Sequence, residues 1–372
     1  MKLKPFRALY PNFDFIASPD VFCIDAKDSF REFKESGFFE KMPQDALYIY
    51  QIETKDRKHT GLIGLNEVED FFAGKVKKHE KTLSEREHEQ MQLFLRWNAV
   101  LKPVLLTYPS VPEITRWLEQ YSENNQPLFT TRFVRDQQTQ RVWTVTDPDD
   151  IRTLQDLFTE NIHGVYIADG HHRTTTVAML HERLKDKSPE YDFNHLFCAF
   201  FAVDQLDILD YNRVVSGFKH INPINAVILM AQSFHLKRLD SARKPVVKHE
   251  IIMFAHKEWY SLTLKEEFLT RYPEGRVVLD ANLLNELVMH DLFGITDVRT
   301  DTRITYVEGS KGIEGIKKAV GTSQDRIGFM LYPVDIDDMM GLADLGESLP
   351  PKSTYFEPRM KTGILVKLLK EE

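Results

Sequence analysis

The chain has 372 residues, of which 42% are hydrophobic and 28% charged, and its formal net charge is −8. This length supplies two domains or one elaborate one, with enough apolar material that no staple is required. The acidity argues against nonspecific nucleic-acid binding, which needs a face rich in lysine and arginine.

Cys23 and Cys198 both lie in apolar stretches, VFCID and LFCAF. Two such residues build neither a disulfide framework nor a zinc set, which fits a reducing cytoplasm. The opening MKLKPFRALYPNFDF has no apolar run of signal-peptide kind. Nowhere does the chain carry the run of about 18 apolar residues that a membrane helix takes.

In chain order, Ala46–Glu53 and Gly61–Glu67 are β-prone runs around the turn KDRKHT and predict an antiparallel hairpin. The basic stretch KVKKHEKT, Lys75–Thr82, comes next, and Ser84–Leu101 predicts a long amphipathic helix. Pro112–Tyr121 opens with the proline that a first helical turn tolerates. Leu128–Arg135 and Arg141–Thr146 form a second hairpin pattern around DQQTQ. Asp147 then caps a helix over Asp149–Phe158.

Gly164–Ala168 is a short apolar strand, Asp169-Gly170 turns the chain, and His171–Lys185 is helical, with Val177, Leu180 and Leu184 on one stripe. Leu196–Val203 is continuously apolar, as in a strand covered on both faces. Glu250–Ala255 and Trp259–Leu264 flank HKE as a third hairpin. Asp280–Phe293 and Gly312–Val320 are further helices. Hairpins mixed with helices predict an α+β fold of mixed, largely antiparallel sheets with flanking helices. A break is placed near Ser216–Pro223, and the polar stretch Asp240–Lys248 is a second place where a boundary would fit.

The strand-to-helix junction ADGHHR concentrates positive potential. The first N–H groups of a helix have no internal partner, and with the helix dipole they make an anion site. Gly170 lets the backbone approach a ligand without a Cβ. Arg173 offers a planar fork for phosphate oxygens, and a bound anion would favour the charged form of His171 and His172. The phosphate ligands expected here are Gly170, His171, His172, Arg173 and Thr174. Asp169 has three roles open to it: capping the helix, orienting a histidine, or holding a metal ion that accompanies a phosphate. A zinc site is not expected, since His163, His171, His172 and His181 lack metal-ligand spacing and no H-E-x-x-H occurs. No Walker loop, G-x-x-x-x-G-K-[ST], occurs either.

The same segment, D-G-H-H-R at Asp169–Arg173, resembles the signature of the domain of unknown function 1015 family. The resemblance extends to Gly61–Thr82, where that family has G-x-V-x-x-H-E-x-T, and to LDILDYNRVV, Leu206–Val215. ITYVEG at Ile304–Gly309 and the proline-rich LPPKSTYFEPRMKTGIL at Leu349–Leu365 complete it. It departs from the family near the N-terminus. Only Ser18-Pro19-Asp20-Val21, within Phe15–Phe30, stands where a Pro-Tyr-Asp-Val-like element is expected.

The box also resembles the phosphate-binding box of the ParB/sulfiredoxin superfamily. His171 stands where sulfiredoxins carry their reactive cysteine, so that chemistry is excluded. Free-serine kinases of the superfamily carry a similar box, which implies binding of ATP or ADP with Mg²⁺ and phosphorylation of a small hydroxyl compound. Under that reading His79 or Glu80 is the general base, with Asp169 and His172 also catalytic. Arg213, Lys352, Ser353 and Thr354 are further candidates for a phosphate or substrate anion.

The resemblance implies a ParB/sulfiredoxin-like strand-turn-helix within a region 1–218. It also implies a second α+β region, 219–372, whose C-terminal tail returns to the site. A sensor of a nucleotide or phosphorylated metabolite, without turnover, stays open as the alternative. A ParB-like DNA-associated protein would need a basic stripe that the chain lacks. A homo-oligomer is compatible with the sequence.

Overall fold

Antiparallel pairing starts where the alternating apolar pattern predicts it. Leu47–Glu53 (β1) pairs with Lys58–Glu67 (β2), from Tyr48 opposite Ile63 to Glu53 opposite Lys58. The structure is a computed structural model and describes residues 1–217, 223–273 and 276–371. Its architecture is α+β, with mixed, largely antiparallel sheets and flanking helices. None of the described helices is long and apolar enough to cross a membrane. The chain divides into two units, Met1–Asp207 with Pro358–Glu372, and Ile208–Glu357.

The first unit is built on a nine-stranded sheet. Besides β1 and β2 it contains Val76–Lys77 (β3), Val104–Tyr108 (β4), Phe129–Phe133 (β5), Gln138–Val145 (β6), Val165–Asp169 (β7) and His195–Ala202 (β8), in the order β3-β7-β4-β8-β2-β1-β6-β5. The short strand Leu3–Lys4 pairs on β2. Two pairs run parallel, β7 with β3 and β8 with β4. β8 lies between β4 and β2, and Leu196 to Ala202 are all buried, as its unbroken apolar run requires.

Flanking helices are Pro19–Glu35 (α1), Ser84–Trp97 (α2), Pro112–Asn124 (α3), Pro148–Asn161 (α4) and His171–Leu184 (α5). α2 stops before the expected Leu101, because Asn98 takes a left-handed conformation (φ 52°) and Ala99–Val100 becomes a strand. α1 lies in the segment where the family pattern breaks. Ser18 accepts a hydrogen bond from the Val21 N–H, Pro19 opens the helix, and Phe22, Cys23, Ala26 and Phe30 are buried.

The second unit carries a fully antiparallel six-stranded sheet. Its strands are Tyr211–Ser216 (β9), Phe234–Leu239 (β10), Glu250–Ala255 (β11), Glu258–Leu264 (β12), Ile304–Glu308 (β13) and Arg326–Met330 (β14), in the order β10-β12-β11-β14-β9-β13. On one face Val215, Met253, Leu262 and Phe329 pack with Ala281, Leu284 and Val288. On the other, Val214, Ile252 and Val307 pack with Ile316 and Val320. The helix expected over Asp280–Phe293 is an α-helix only over Asp280–Leu284 (α6) and continues as a π-helix over Asn285–His290. Gly312–Val320 (α7) has the bounds its pattern predicts.

The division at Asp207 precedes the break expected near Ser216–Pro223, because β9 is an inner strand of the second sheet. Residues 218–222 of that expected break lie outside the described residues. The polar stretch 240–248 is interior to the second unit. There Arg243 pairs with the buried Glu250, which also accepts from the Val246 N–H and the Ser261 hydroxyl.

α4 is the clearest cap in the first unit. The Asp147 side chain accepts from the N–H groups of Asp149 (2.9 Å) and Asp150 (3.2 Å). Replacing Asp147→Ala is expected to cost about 1 kcal/mol, read as a lowered midpoint in guanidinium unfolding followed by circular dichroism.

Candidate functional site

β7 and β3 are parallel neighbours, with Val165 opposite Val76 and Tyr166 opposite Lys77. Their carboxyl ends therefore face the same sheet edge, and the segments that follow them meet there. After β7 come Gly170 and α5. After β3 comes the loop with His79 and Glu80. Ligand sites favour this edge of strands that feed helices.

Gly170 has φ 109° and ψ 26° and forms the N-cap position of α5. Only glycine adopts this backbone without strain. A Cβ here would also meet the Arg173 guanidinium, with Nη2 at 2.7 Å. Thr174 N–H makes the first helical bond, to Gly170 O (3.0 Å), so the N–H groups at 171–173 stand ahead of the helical ladder. No side chain among the described residues caps this terminus. Asp169 thus does not take the capping role open to it in sequence.

Asp169 instead accepts from Arg173 Nη2 at 3.0 Å, folded back over Gly170, and pairs with Lys102 Nζ at 3.4 Å. Lys102 lies between Ala99–Val100 and β4, and β4 is the antiparallel neighbour of β7. Burial raises the Asp169 pKa. The charges of Lys102, Arg173 and Arg359 and the Arg173 hydrogen bond outweigh it, so the carboxyl is held far below the usual carboxylate range. Burial lowers the pKa of Lys102, and Arg173 and Arg359 add to this against the pull of Asp169.

Lys102 and Arg359 were not legible as site residues. Lys102 sits in an unremarkable V-L-K-P turn. Arg359 directly follows the P-K-S-T-Y-F-x-P run, which is the one signal that singles it out.

The histidines depart from expectation. His171 is buried, and its Nε2 accepts a long bond from the His79 N–H (3.5 Å), which leaves the proton on Nδ1, 3.7 Å from Glu80 Oε2. The two rings meet edge to face with centroids 4.5 Å apart. Burial pushes the His171 pKa well below 6.5, with His79, His172 and Arg173 adding to the effect against Asp169. Burial alone pulls His79 down to about 4. Both rings are therefore neutral near pH 7, and His171 is not the charged anion ligand expected from sequence.

His79 is 1% exposed and Glu80 38%, so of the two expected bases only Glu80 is open to a substrate proton. His172 is half-buried on the first turn of α5. Thr174 is removed from the expected ligands, since it is buried and its hydroxyl donates to Gly170 O (3.2 Å).

Arg213, Lys352, Ser353 and Thr354 belong to the second unit. Arg213 is fully buried on β9 and pairs with no aspartate there. Its partners are the carbonyls of Tyr211 (3.0 Å) and Pro351 (3.5 Å) and the ring of Tyr306. Ser353 is buried and donates to Pro350 O (2.8 Å). Lys352 is exposed and Thr354 half-buried.

An anionic group matches the charge of the junction, where Lys102 and Arg173 converge on Asp169 beside a helix start that no side chain among the described residues caps. Mg²⁺ does not fit at Asp169, whose carboxylate is already engaged by Lys102 and Arg173.

The model of the family described as "Protein of unknown function (DUF1015)" matches residues 13–287, and the chain belongs to that family. No curated protein matches it. Among solved structures, SbnI with a C-terminal truncation, from Staphylococcus aureus, is similar at TM-score 0.42 and 12% identity, over 81% of this chain and 85% of that one. A free serine kinase variant in complex with ADP is similar at TM-score 0.39 and 12% identity, over 81% and 92%. A conserved hypothetical protein from Pyrococcus furiosus is similar at TM-score 0.38 and 15% identity, over 82% and 95%.

The buried histidines set a pH dependence. An unfolded histidine titrates near 6.5. His79 does so at about 4 and His171 well below 6.5 when folded. The unfolded chain therefore binds more protons below about pH 6.5, and stability falls as pH is lowered from there toward 4. The His79 share is on the order of 3 kcal/mol. Guanidinium unfolding at pH 7.5, 6 and 5 checks the fall, which should be shallower in His79→Gln than in the unchanged protein.

Proposed function

We propose that the first unit binds the phosphates of a nucleotide, ATP or ADP, at the start of α5, and that it acts as a phosphotransferase on a small hydroxyl metabolite. The observation that carries this reading is the charge set at the junction. Lys102, Arg173 and Arg359 act on the single carboxylate of Asp169, beside a helix start that no side chain among the described residues caps. Two cations paired with that one carboxylate leave positive potential at the helix start for an anion. A phosphate there meets the N–H groups of α5 over a residue without Cβ.

In this reading Asp169 is a positioning residue. It holds Arg173 folded over Gly170 and shares that guanidinium with the ligand. Glu80 takes the proton of the acceptor hydroxyl as its oxygen bonds to the terminal phosphorus and the bond to the bridging oxygen breaks, so that ADP leaves when ATP is the donor and AMP when ADP is. Phosphoryl transfer is chiefly positioning and charge stabilisation, which such a residue set can supply. The neutral His171, with Nδ1 toward Glu80, favours neither a second charge nor a competing base at that point.

A non-catalytic nucleotide sensor is the second reading. It is favoured by one observation, that the Asp169 carboxylate is occupied by two cations and is not offered to a metal ion.

Arg173→Ala should weaken nucleotide binding by roughly 1.5–3 kcal/mol, the range for hydrogen bonds to charged groups, measured by calorimetry with ATP and ADP. Unchanged affinity would remove the junction as the phosphate site. Phosphorus NMR of the protein with ATP, Mg²⁺ and pooled amino acids and sugars tests turnover. A phosphorylated product that Glu80→Gln abolishes while keeping nucleotide affinity supports the transferase. Tight binding with no product from any acceptor leaves the sensor.

A further inference from the structure

The first unit carries a second cluster of titratable groups, built on the other end of β2. The short strand Leu3–Lys4 pairs along one side of β2, with Leu3 opposite Asn66 and Lys4 opposite Leu65. β8 pairs along the other side, with His195 opposite Glu67 and Phe197 opposite Leu65. Directly opposed residues share a face of a sheet, and so do residues two apart on one strand. Lys2, Lys4, Glu67 and His195 therefore stand on one face.

The two carboxylates of the cluster are already engaged. Glu67 accepts from the Lys2 ammonium on both oxygens, at 3.1 and 3.3 Å. One oxygen of Asp192 accepts from His195 Nδ1 (2.7 Å) and from the Asn194 N–H (3.2 Å), and the other pairs with Lys367 Nζ at 2.9 Å. Lys367 is 3% exposed and also donates to the carbonyls of Asp192 (3.0 Å) and His195 (2.8 Å). Burial raises the Asp192 pKa. The His195 hydrogen bond and the Lys367 charge outweigh it, so the carboxyl is held far below the usual carboxylate range.

Lys4 is exposed and is left with a partner of a different kind. Its Nζ lies 3.3 Å from Nε2 of His195. Asp192 takes the Nδ1 proton, so Nε2 is the acceptor nitrogen of the neutral ring. One proton then lies between Nζ and Nε2. When it sits on the imidazole, the amine has a free electron pair and is a nucleophile. A base held against a nucleophile and oriented by a third group is the arrangement that activates such side chains. The Lys4 charge also acts on the buried Lys367, whose pKa is lowered by burial and further by Lys4, against the pull of Asp192. A neutral Lys4 would end that repulsion.

We propose that Lys4 is an acylation site for the acyl phosphates of small carboxylic acids, with His195 as its base and Asp192 as the residue that positions the ring. The proton shared with Nε2 leaves through the imidazole to solvent, which frees the Nζ electron pair. Nζ then bonds to the acyl carbon, and the bond from that carbon to the bridging oxygen breaks with its electron pair on the phosphate. The proton released from the nitrogen passes to Nε2, an amide remains on Lys4, and inorganic phosphate leaves. A small donor of this kind reaches an exposed amine without a cavity. The site is independent of the nucleotide reading, since it uses none of the residues at the α5 junction.

The test incubates the full chain with acetyl phosphate and follows acetylation of each lysine over time by mass spectrometry. Lys2, on the same face but paired with Glu67, and Lys27, exposed on α1, are the internal references. Lys4 is expected to react several-fold faster than either. In guanidinium-unfolded protein that preference should vanish, because the imidazole is no longer held against the amine. His195→Gln keeps a hydrogen-bonding side chain beside Lys4 but removes the base, and should bring Lys4 down to the reference rate. A Lys4 no faster than Lys2 and Lys27 overturns the proposal, as does a preference that survives unfolding or that His195→Gln leaves unchanged. The folded and unfolded rates are read on the unaltered sequence, so they decide the matter even where the variant fails to fold.

Discussion

Two backbone rungs, Val165 with Val76 and Tyr166 with Lys77, run parallel at the edge of the first sheet. Antiparallel pairing of the same strands would send the His79–Glu80 loop to the opposite edge from Gly170. Parallel pairing ends both strands together, so a loop and a helix start that are remote in sequence share one edge. The neighbouring antiparallel strand β4 is preceded by Lys102, which its direction delivers to that same edge. The charge set and the buried histidine pair are both consequences of strand direction.

Within the junction, the competition for Arg173 governs the electrostatics. Asp169 is held ionised because three cations outweigh its burial, and in return it keeps Arg173 folded against Gly170. Without Asp169, the cations would repel one another at a helix N-terminus whose own dipole already disfavours them. One carboxylate shared by Lys102 and Arg173 makes their approach tolerable and leaves positive potential beside them. A cluster balanced to zero would have no electrostatic preference for a phosphate.

Much of the fold was legible because its signals are local. The hairpin at Ala46–Glu67 and the run Leu196–Val203 carry strand periodicities that tertiary context leaves alone, and Asp147-Pro148 carries a cap and a first-turn proline. The helix α1 is signalled just as locally, with Ser18, Pro19 and the buried positions 22, 23, 26 and 30 in register, although it lies where the family pattern breaks. The junction itself was legible as strand, glycine and helix. Its protonation states were not, because they depend on burial. His79 and His171 lose their charge through neighbours that no spacing reveals, and Thr174 turns inward for the same reason. Lys102 and Arg359 reach Asp169 only through the fold.

The two units handle buried positive charge in opposite ways. At the α5 junction the chain supplies its own carboxylate, so Lys102 and Arg173 are held in place by a charge of the chain itself. At Arg213 the chain supplies carbonyl dipoles and an aromatic face, which solvate the guanidinium partly but carry no charge. Arg213 is thus held by the dipoles and the ring around it on an inner strand, whereas Arg173 is held by a charge of the chain itself.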